Sequence, residues 1–335
     1  VKEVTGDQPR LNYDISNGVV QSCPSLLLEP ASTNLITYSE DFSQSEWVKL
    51  GAGTGSAAVV TSNYATSPDG TQNASRLQCD LNGGGSSSSN QSLIYDIYTS
   101  SGNQTISIYI KSNNGQNQTI YFANTQTSGD TITVTSQWQR FSFSHSAATY
   151  VFAVGLRGRT GGAINDTADI LIYGAQVEAL SYPTSLIPTN GSSQTRAAET
   201  CFGAGTASTF NDSEGVLYLD IATLVDSTNG GVRRFSLSDG TNNNRIQLLF
   251  TNTTGRISVI VKSGGLFQID ANFLGYNTTE SNKIAIRYGS GLFKVYINGL
   301  SVFSDAGVAF SSISLDDLSF ANTSGTEPMY SRCRI

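Results

Sequence analysis

Hydrolysis of a glycosidic bond needs two carboxyl groups held across one sugar-binding cleft, one of them raised in pKa. The acids that could supply such a pair are Asp166, Asp169, Glu178, Asp220, Asp270, Asp316 and Asp317. Asp316 and Asp317 are neighbours, so on a strand they point to opposite faces and cannot form the dyad together. The single histidine, His145, has no serine or cysteine partner in a recognisable setting, and no Gly-x-Ser-x-Gly elbow stands in a strand–turn–helix context. The expectation is a protein that is not an enzyme, with a depolymerase of scattered carboxylates as the lesser alternative. Zinc is not expected, because Cys23, Cys79, Cys201 and Cys333 are far apart and lack clustered histidines. A Cys201–Cys333 bridge is one reading of the second half, and buried free thiols are the preferred one. Calcium is the ion that would suit Asn34, Asp41 and Glu178 if the terminal strands of the first sandwich bring them together.

Binding needs less than catalysis. Sugars are held by aromatic faces stacked on pyranose rings and by amides and charged forks that read hydroxyls. In the first half the available parts are Trp47, Tyr64, Tyr95, Tyr98, Arg157 and Arg159. Arg157 and Arg159 in "GLRGRTGG" alternate onto one strand face before a loop and could form a polar clamp. The competing reading, which is preferred, puts Trp47 and Trp138 in the core and pairs the arginines with Asp166 or Asp169. In the second half "RRFSLSDGTNNNR" gathers Arg233, Arg234, Asp239, Asn242, Asn243 and Asn244 at a hairpin tip. Arg234 and Asn243 are its glycan candidates, although turn chemistry also accounts for the cluster.

The elements that must position these residues are strands. The chain has 335 residues, only 13% of them charged, and is rich in Ser, Thr, Asn and Gly. Runs such as "TISIYIKS", "TITVTSQWQRFSFS", "ADILIYGAQVEA", "RISVIVKS" and "LFKVYINGL" alternate apolar and polar residues between turn clusters. That pattern predicts an all-β chain of two antiparallel β-sandwiches in tandem. Pro9, Pro24 and Pro30 mark residues 1–33 as an extended N-terminal arm. The first sandwich is expected over 34–180, a linker over 181–200 around Pro183 and Pro188, and the second sandwich over 201–335. "NGGGSSSSNQS" at 82–92 reads as a long flexible loop. A net charge of −7 opposes nucleic-acid binding, and no apolar run is long enough for a membrane-spanning helix, so no membrane insertion is expected.

"PRLNYD", "LLLEPASTNLITYSEDFSQSEW", "GAQVEALSYPTSLIPTNGSSQTRAA", "SEGVLYLDIATL" and "RRFSLSDGTNNNRIQ" follow one another in an order that resembles a type of tailed-bacteriophage virion protein found in fibres and appendages. Within that resemblance the first sandwich is similar to carbohydrate-binding-module or galactose-binding domains, and the second to concanavalin A or laminin-G domains. The resemblance implies a virion-surface protein, made in the host bacterial cytoplasm and displaying lectin-like folds toward host-surface glycans. It implies attachment to other virion proteins through the N-terminal arm, and a homo-oligomer, trimeric in one reading. A purely architectural decoration of tail or capsid, without glycan binding, is the alternative.

Overall fold

A computed structural model describes residues 10–13, 15–16, 19–20, 22–99, 102–123, 130–146, 150–159, 164–226, 231–289, 291–308, 314–322 and 328–334. All regular structure in those residues is β-strand. The chain divides into two compact units, one of Ala31–Ala197 and the other of Val4–Pro30 with Ala198–Ile335.

Before the first unit the chain forms β1 (Leu11–Asn12), β2 (Ile15–Ser16), β3 (Val19–Val20) and β4 (Ser25–Leu28). The first unit contains β5 (Ser32–Asn34), β6 (Val48–Ala52), β7 (Val59–Ala65), β8 (Ala74–Asp80), β9 (Gln91–Tyr98) and β10 (Asn103–Ser112). It continues with β11 (Gln118–Ala123), β12 (Asp130–Val134), β13 (Gln139–Ser146), β14 (Tyr150–Arg157), β15 (Thr167–Glu178) and β16 (Gln194–Arg196). Two five-stranded antiparallel sheets, β13-β10-β15-β8-β7 and β12-β11-β14-β9-β6, make the sandwich, and β16 pairs with β5. Strict alternation sends Ile106, Ile108, Ile110, Ile170 and Ile172 from one sheet, and Ile94, Phe122, Phe152 and Val154 from the other, into a shared core.

Asp96 on β9 is an exception to that pattern. It has the parity of Ile94 and Tyr98, lies opposite Phe152 and is buried. Burial pushes its carboxyl up to about 6, with Glu46 adding to the rise and the Ile97 amide opposing it. An unfolded Asp titrates near 3.9, so between about pH 4 and about pH 6 the folded state holds the extra proton. The stability this group contributes is fully present below pH 4 and is lost as pH rises through 6. We expect Asp96→Asn to remove a decline of about 2–3 kcal/mol across that window. Urea titrations of wild type and variant at pH 4, 5, 6 and 7.5 check this; parallel pH profiles would refute it.

The second unit adds β17 (Glu214–Thr223), β18 (Arg233–Ser238), β19 (Arg245–Phe250), β20 (Ile257–Ser263), β21 (Leu266–Phe273) and β22 (Asn282–Gly289). Its last strands are β23 (Phe293–Ile297), β24 (Leu300–Asp305), β25 (Asp317–Ser319) and β26 (Ser331–Arg334). One sheet runs β1-β4-β26-β17-β22-β23-β24 and the other β21-β20-β19-β18-β25. Leu217, Leu219 and Ile221 from the first sheet meet Phe235, Leu237, Ile246, Leu248 and Val259 from the second. The "ING" turn joins β23 to β24 with Asn298 at φ 51° and Gly299 at φ 84°, the left-handed pair of a type I′ hairpin.

The two sandwiches agree with the expected fold class, but the leading residues are placed differently from an arm. β4 lies inside the seven-stranded sheet, between β1 and β26, with Leu28 in the second unit's core. Pro24 and Pro30 flank β4 and therefore do not interrupt its ladder. The first sandwich is thus inserted between β4 and the rest of the second. At the insertion point the Glu199 amide donates to the Glu29 carbonyl at 2.9 Å, and Arg10 Nη2 donates to carboxylate oxygens of both Glu29 and Glu199. The buried Glu29 is compensated by this ion pair.

All four cysteines are free thiols, so Cys201 and Cys333 are not bridged. Burial pushes Cys79 and Cys333 up to about 12, which leaves them inert as nucleophiles near neutral pH.

Candidate functional site

In the first unit the expected parts are taken up by the fold. Trp47 is fully buried, with ring centroids of Phe42 and Phe152 at 4.9 and 5.4 Å, and its Nε1 donates to the Tyr38 carbonyl at 2.9 Å. It cannot offer a face to a sugar. Trp138 is only half-buried and donates to the Thr66 carbonyl, so it is not the core residue expected. Tyr64 is exposed, with the Arg76 guanidinium 5.1 Å from its ring centroid.

Arg157 lies over the buried Tyr121 ring at 5.8 Å, and the Arg159 amide donates to the Gly85 carbonyl. Arg157 does not pair with Asp166 or Asp169. Asp169 is held by the Arg76 fork at 2.8 and 2.7 Å, and Asp166 accepts the Gly83 amide. The Arg76 hydrogen bonds keep the Asp169 carboxyl below the usual carboxylate range. Segment 82–92, expected to be a flexible loop, carries successive turn hydrogen bonds from Gly84, Ser87 and Asn90, and Asn90 Nδ2 donates to the Gly84 carbonyl. Composition alone could not reveal this, because Ser and Asn serve turns and linkers equally.

The three residues considered for calcium do not form a cage. Asn34 Oδ1 accepts the Ile36 and Val177 amides, and its Nδ2 donates to the Ala175 and Ile187 carbonyls. The Glu178 carboxylate accepts Ser32, Gln176 and Thr184, while Asp41 accepts Ser43 and Gln44. These side-chain oxygens are engaged by protein donors. Among the described residues no three His, Cys, Asp or Glu side chains gather to hold a metal.

The second unit offers more. Phe235, Leu237, Ile246, Leu248, Val259 and Val261 enter its core, so the residues between them face outward from the five-stranded sheet. The register lines them up in rows. Across one row stand Asp317, Ser238, Arg245, Lys262 and Phe267, one from each strand from β25 to β21. Across the next stand Ser319, Ser236, Gln247, Ile260 and Asp270. Exposure falls from the edge strand, where Phe267 is 58% exposed, to the middle, where Arg245 is 7% and Gln247 0% exposed. Gln247 Oε1 accepts Arg234 Nη1 at 3.1 Å and its Nε2 donates to Ser236 Oγ at 2.9 Å, which fixes the Arg234 head over the sheet. Lys262 Nζ lies 4.1 Å from the Phe267 ring centroid.

Of the residues expected at the hairpin tip, Arg234 belongs to this face. Asn243 is exposed but structural: its amide donates to Thr241 Oγ1 and its carbonyl accepts the Gly265 amide. Asp239 is taken up by Thr241 and Asn244, whose hydrogen bonds hold its carboxyl below the usual range against the opposing effect of burial. Arg245, Gln247, Lys262 and Phe267 escaped the sequence reading. Alternation in "RIQLLF" and "ISVIVKS" places Arg245, Gln247 and Lys262 opposite the core, but only the strand register sets Arg245 beside Lys262.

The seven-stranded sheet carries a cleft of about 300 Å³ lined by Asp220, Glu280, Arg332 and Arg334. Its charges meet each other: Arg334 Nη1 is 3.9 Å from Asp220, which also accepts Ser281 Oγ. It lacks the aromatic edge of the other face.

No protein-family model and no curated protein matches the chain. Among solved structures it has a likeness to domains LG4-5 of the mouse laminin alpha1 chain, at 10% identity over 85% of this chain and 88% of that one, with a TM-score of 0.26. At that score the likeness carries no weight for function. The class that the described strands define is a two-unit antiparallel β-sandwich protein.

Proposed function

We propose that the chain is a non-enzymatic, lectin-like protein that binds a glycan on the outer face of the β21-β20-β19-β18-β25 sheet. The observation that carries this is the row in which an exposed aromatic ring, Phe267, stands beside the cations of Lys262 and Arg245. An aromatic platform next to charged donors is the equipment that sugar recognition needs. The carboxylates on the same face, Asp270 and Asp317, lie on opposite edge strands, four strand spacings or roughly 19 Å apart. Glycosidase pairs stand within about 9.5 Å, so this separation supports binding over cleavage.

Display on a phage particle, with several copies adding avidity to weak single sites, is the wider setting we propose, on the strength of the segment resemblance. In that setting the first 33 residues would not all serve as a tether, since β4 is part of a sheet; residues 1–9 lie outside the described residues. A trimeric or other homo-oligomeric assembly, and contact with other virion proteins, belong to the same proposal.

Phe267→Ala should weaken glycan binding about tenfold, the loss of one stacking contact worth about 1–1.5 kcal/mol. The thermal melt should not change, because the ring is exposed. A panel of neutral and acidic polysaccharides in affinity electrophoresis provides the readout. Retardation by none of them would leave an architectural role, and released oligosaccharide would indicate a depolymerase.

A further inference from the structure

We infer that this face selects an acidic sugar, a glycan whose residues carry carboxylates, as in a polyuronate. The inference rests on the glycan-binding reading and adds the chemical class. Its basis is a conflict of like charges. Arg245 on β19 and Lys262 on β20 are direct cross-strand partners on the same face. Like charges in that position repel.

Among the described residues no acid relieves this repulsion. Asp270 and Asp317 lie on the same face, yet neither forms an ion pair with Arg245 or Lys262. Arg245 is 7% exposed, and its hydrogen bonds run only from Nη1, to the carbonyl and Oδ1 of Asn242. Its Nε is buried with no partner, and Nη2 meets no acceptor among the described residues. Burial and then the neighbouring Arg234 cation push the Arg245 guanidinium down, and no carboxylate opposes them.

A buried cation beside another cation costs stability unless an anion joins it. The chain as a whole has 26 acids against 19 bases, so a face on which no described acid pairs with Arg245 or Lys262 departs from its surroundings. A guanidinium presents parallel N–H donors that match the two oxygens of a carboxylate. Phe267, next in the row, would take the ring of the same sugar.

The test uses the full chain and four probes: polygalacturonate, its methyl ester, dextran and dextran sulfate, each by titration calorimetry at 50 and 300 mM NaCl. Polygalacturonate should bind at least tenfold more tightly than its methyl ester or dextran, and weaken as salt rises. Lys262→Gln and Arg245→Met should each reduce polygalacturonate affinity about tenfold. Arg245→Met should also leave the melting temperature equal or higher, because it removes a repelled cation; a supporting residue would instead lower it. Equal binding of ester and acid, or tighter binding of dextran sulfate than of polygalacturonate, would overturn the carboxylate assignment while the glycan reading stood. No binding to any of the four would remove both.

Discussion

A chain in which Pro30 is joined to Ala198 through three or four Gly and Ser residues should fold as a complete second unit, whereas residues 198–335 alone should not. The reason is β4. It lies between β1 and β26 and delivers Leu28 to the core formed with Leu219, Phe235 and Leu248. Without it β26 becomes an open edge, Leu27 and Leu28 lose their burial, and Glu199 loses its partners Arg10 and Glu29. Each leucine accounts for roughly 1.5–3 kcal/mol, against a total stability of about 5–15 kcal/mol for a domain. The ends to be joined are adjacent, since Glu199 and Glu29 share a backbone hydrogen bond, so a short linker closes the gap at little entropic cost. Thermal melts followed by circular dichroism decide the matter. A cooperative transition in the 198–335 fragment at the temperature of the linked chain would show that β4 is dispensable.

Trp47→Ala should destabilise the first unit by about 3–5 kcal/mol, the cost of emptying a large buried aromatic site. Phe42 and Phe152 pack against this ring, and the Tyr38 carbonyl would lose its indole donor. Trp47→Phe should cost less, since it keeps an aromatic filler and loses chiefly the hydrogen bond. Denaturant titrations followed by circular dichroism measure both. Glycan binding by the folded Trp47→Ala protein should match wild type. A fall in affinity without a fall in stability would instead mean that Trp47 meets a ligand.

Much of the architecture was legible because antiparallel sandwiches write their burial into the chain with a period of two. "TISIYIKS" and "ISVIVKS" announced both strand and inward face. The Asn298–Gly299 turn was legible because few residue pairs accept two left-handed conformations in succession. The insertion was not, because nothing local in "SLLLEP" states that its partner is "SRCR" some 300 residues later. Pairing of that kind is settled by three-dimensional fit, and the prolines at 24 and 30 bound the strand without naming its neighbour. The site was half legible for the same reason. Arg234 stood out by its place in a polar cluster, whereas Arg245 and Lys262 acquire meaning only from a register between two strands. For Arg157 and Arg159 the sequence suggested acids nearby, but Asp169 is engaged by Arg76, which is farther away in the chain.

The pairing of β4 with β26 also imposes a timetable on biosynthesis. On a translating ribosome Leu28 emerges long before Ser331, its partner in the sheet. The strands of the inserted sandwich, whose partners all lie within 31–197, can close while the rest is still being made. Throughout that interval β4 presents an apolar, unpaired edge, the kind of segment that recruits foreign strands. Slow or stalled translation of the last third of the message would therefore favour aggregation through Leu26–Leu28, and a holding chaperone would act there.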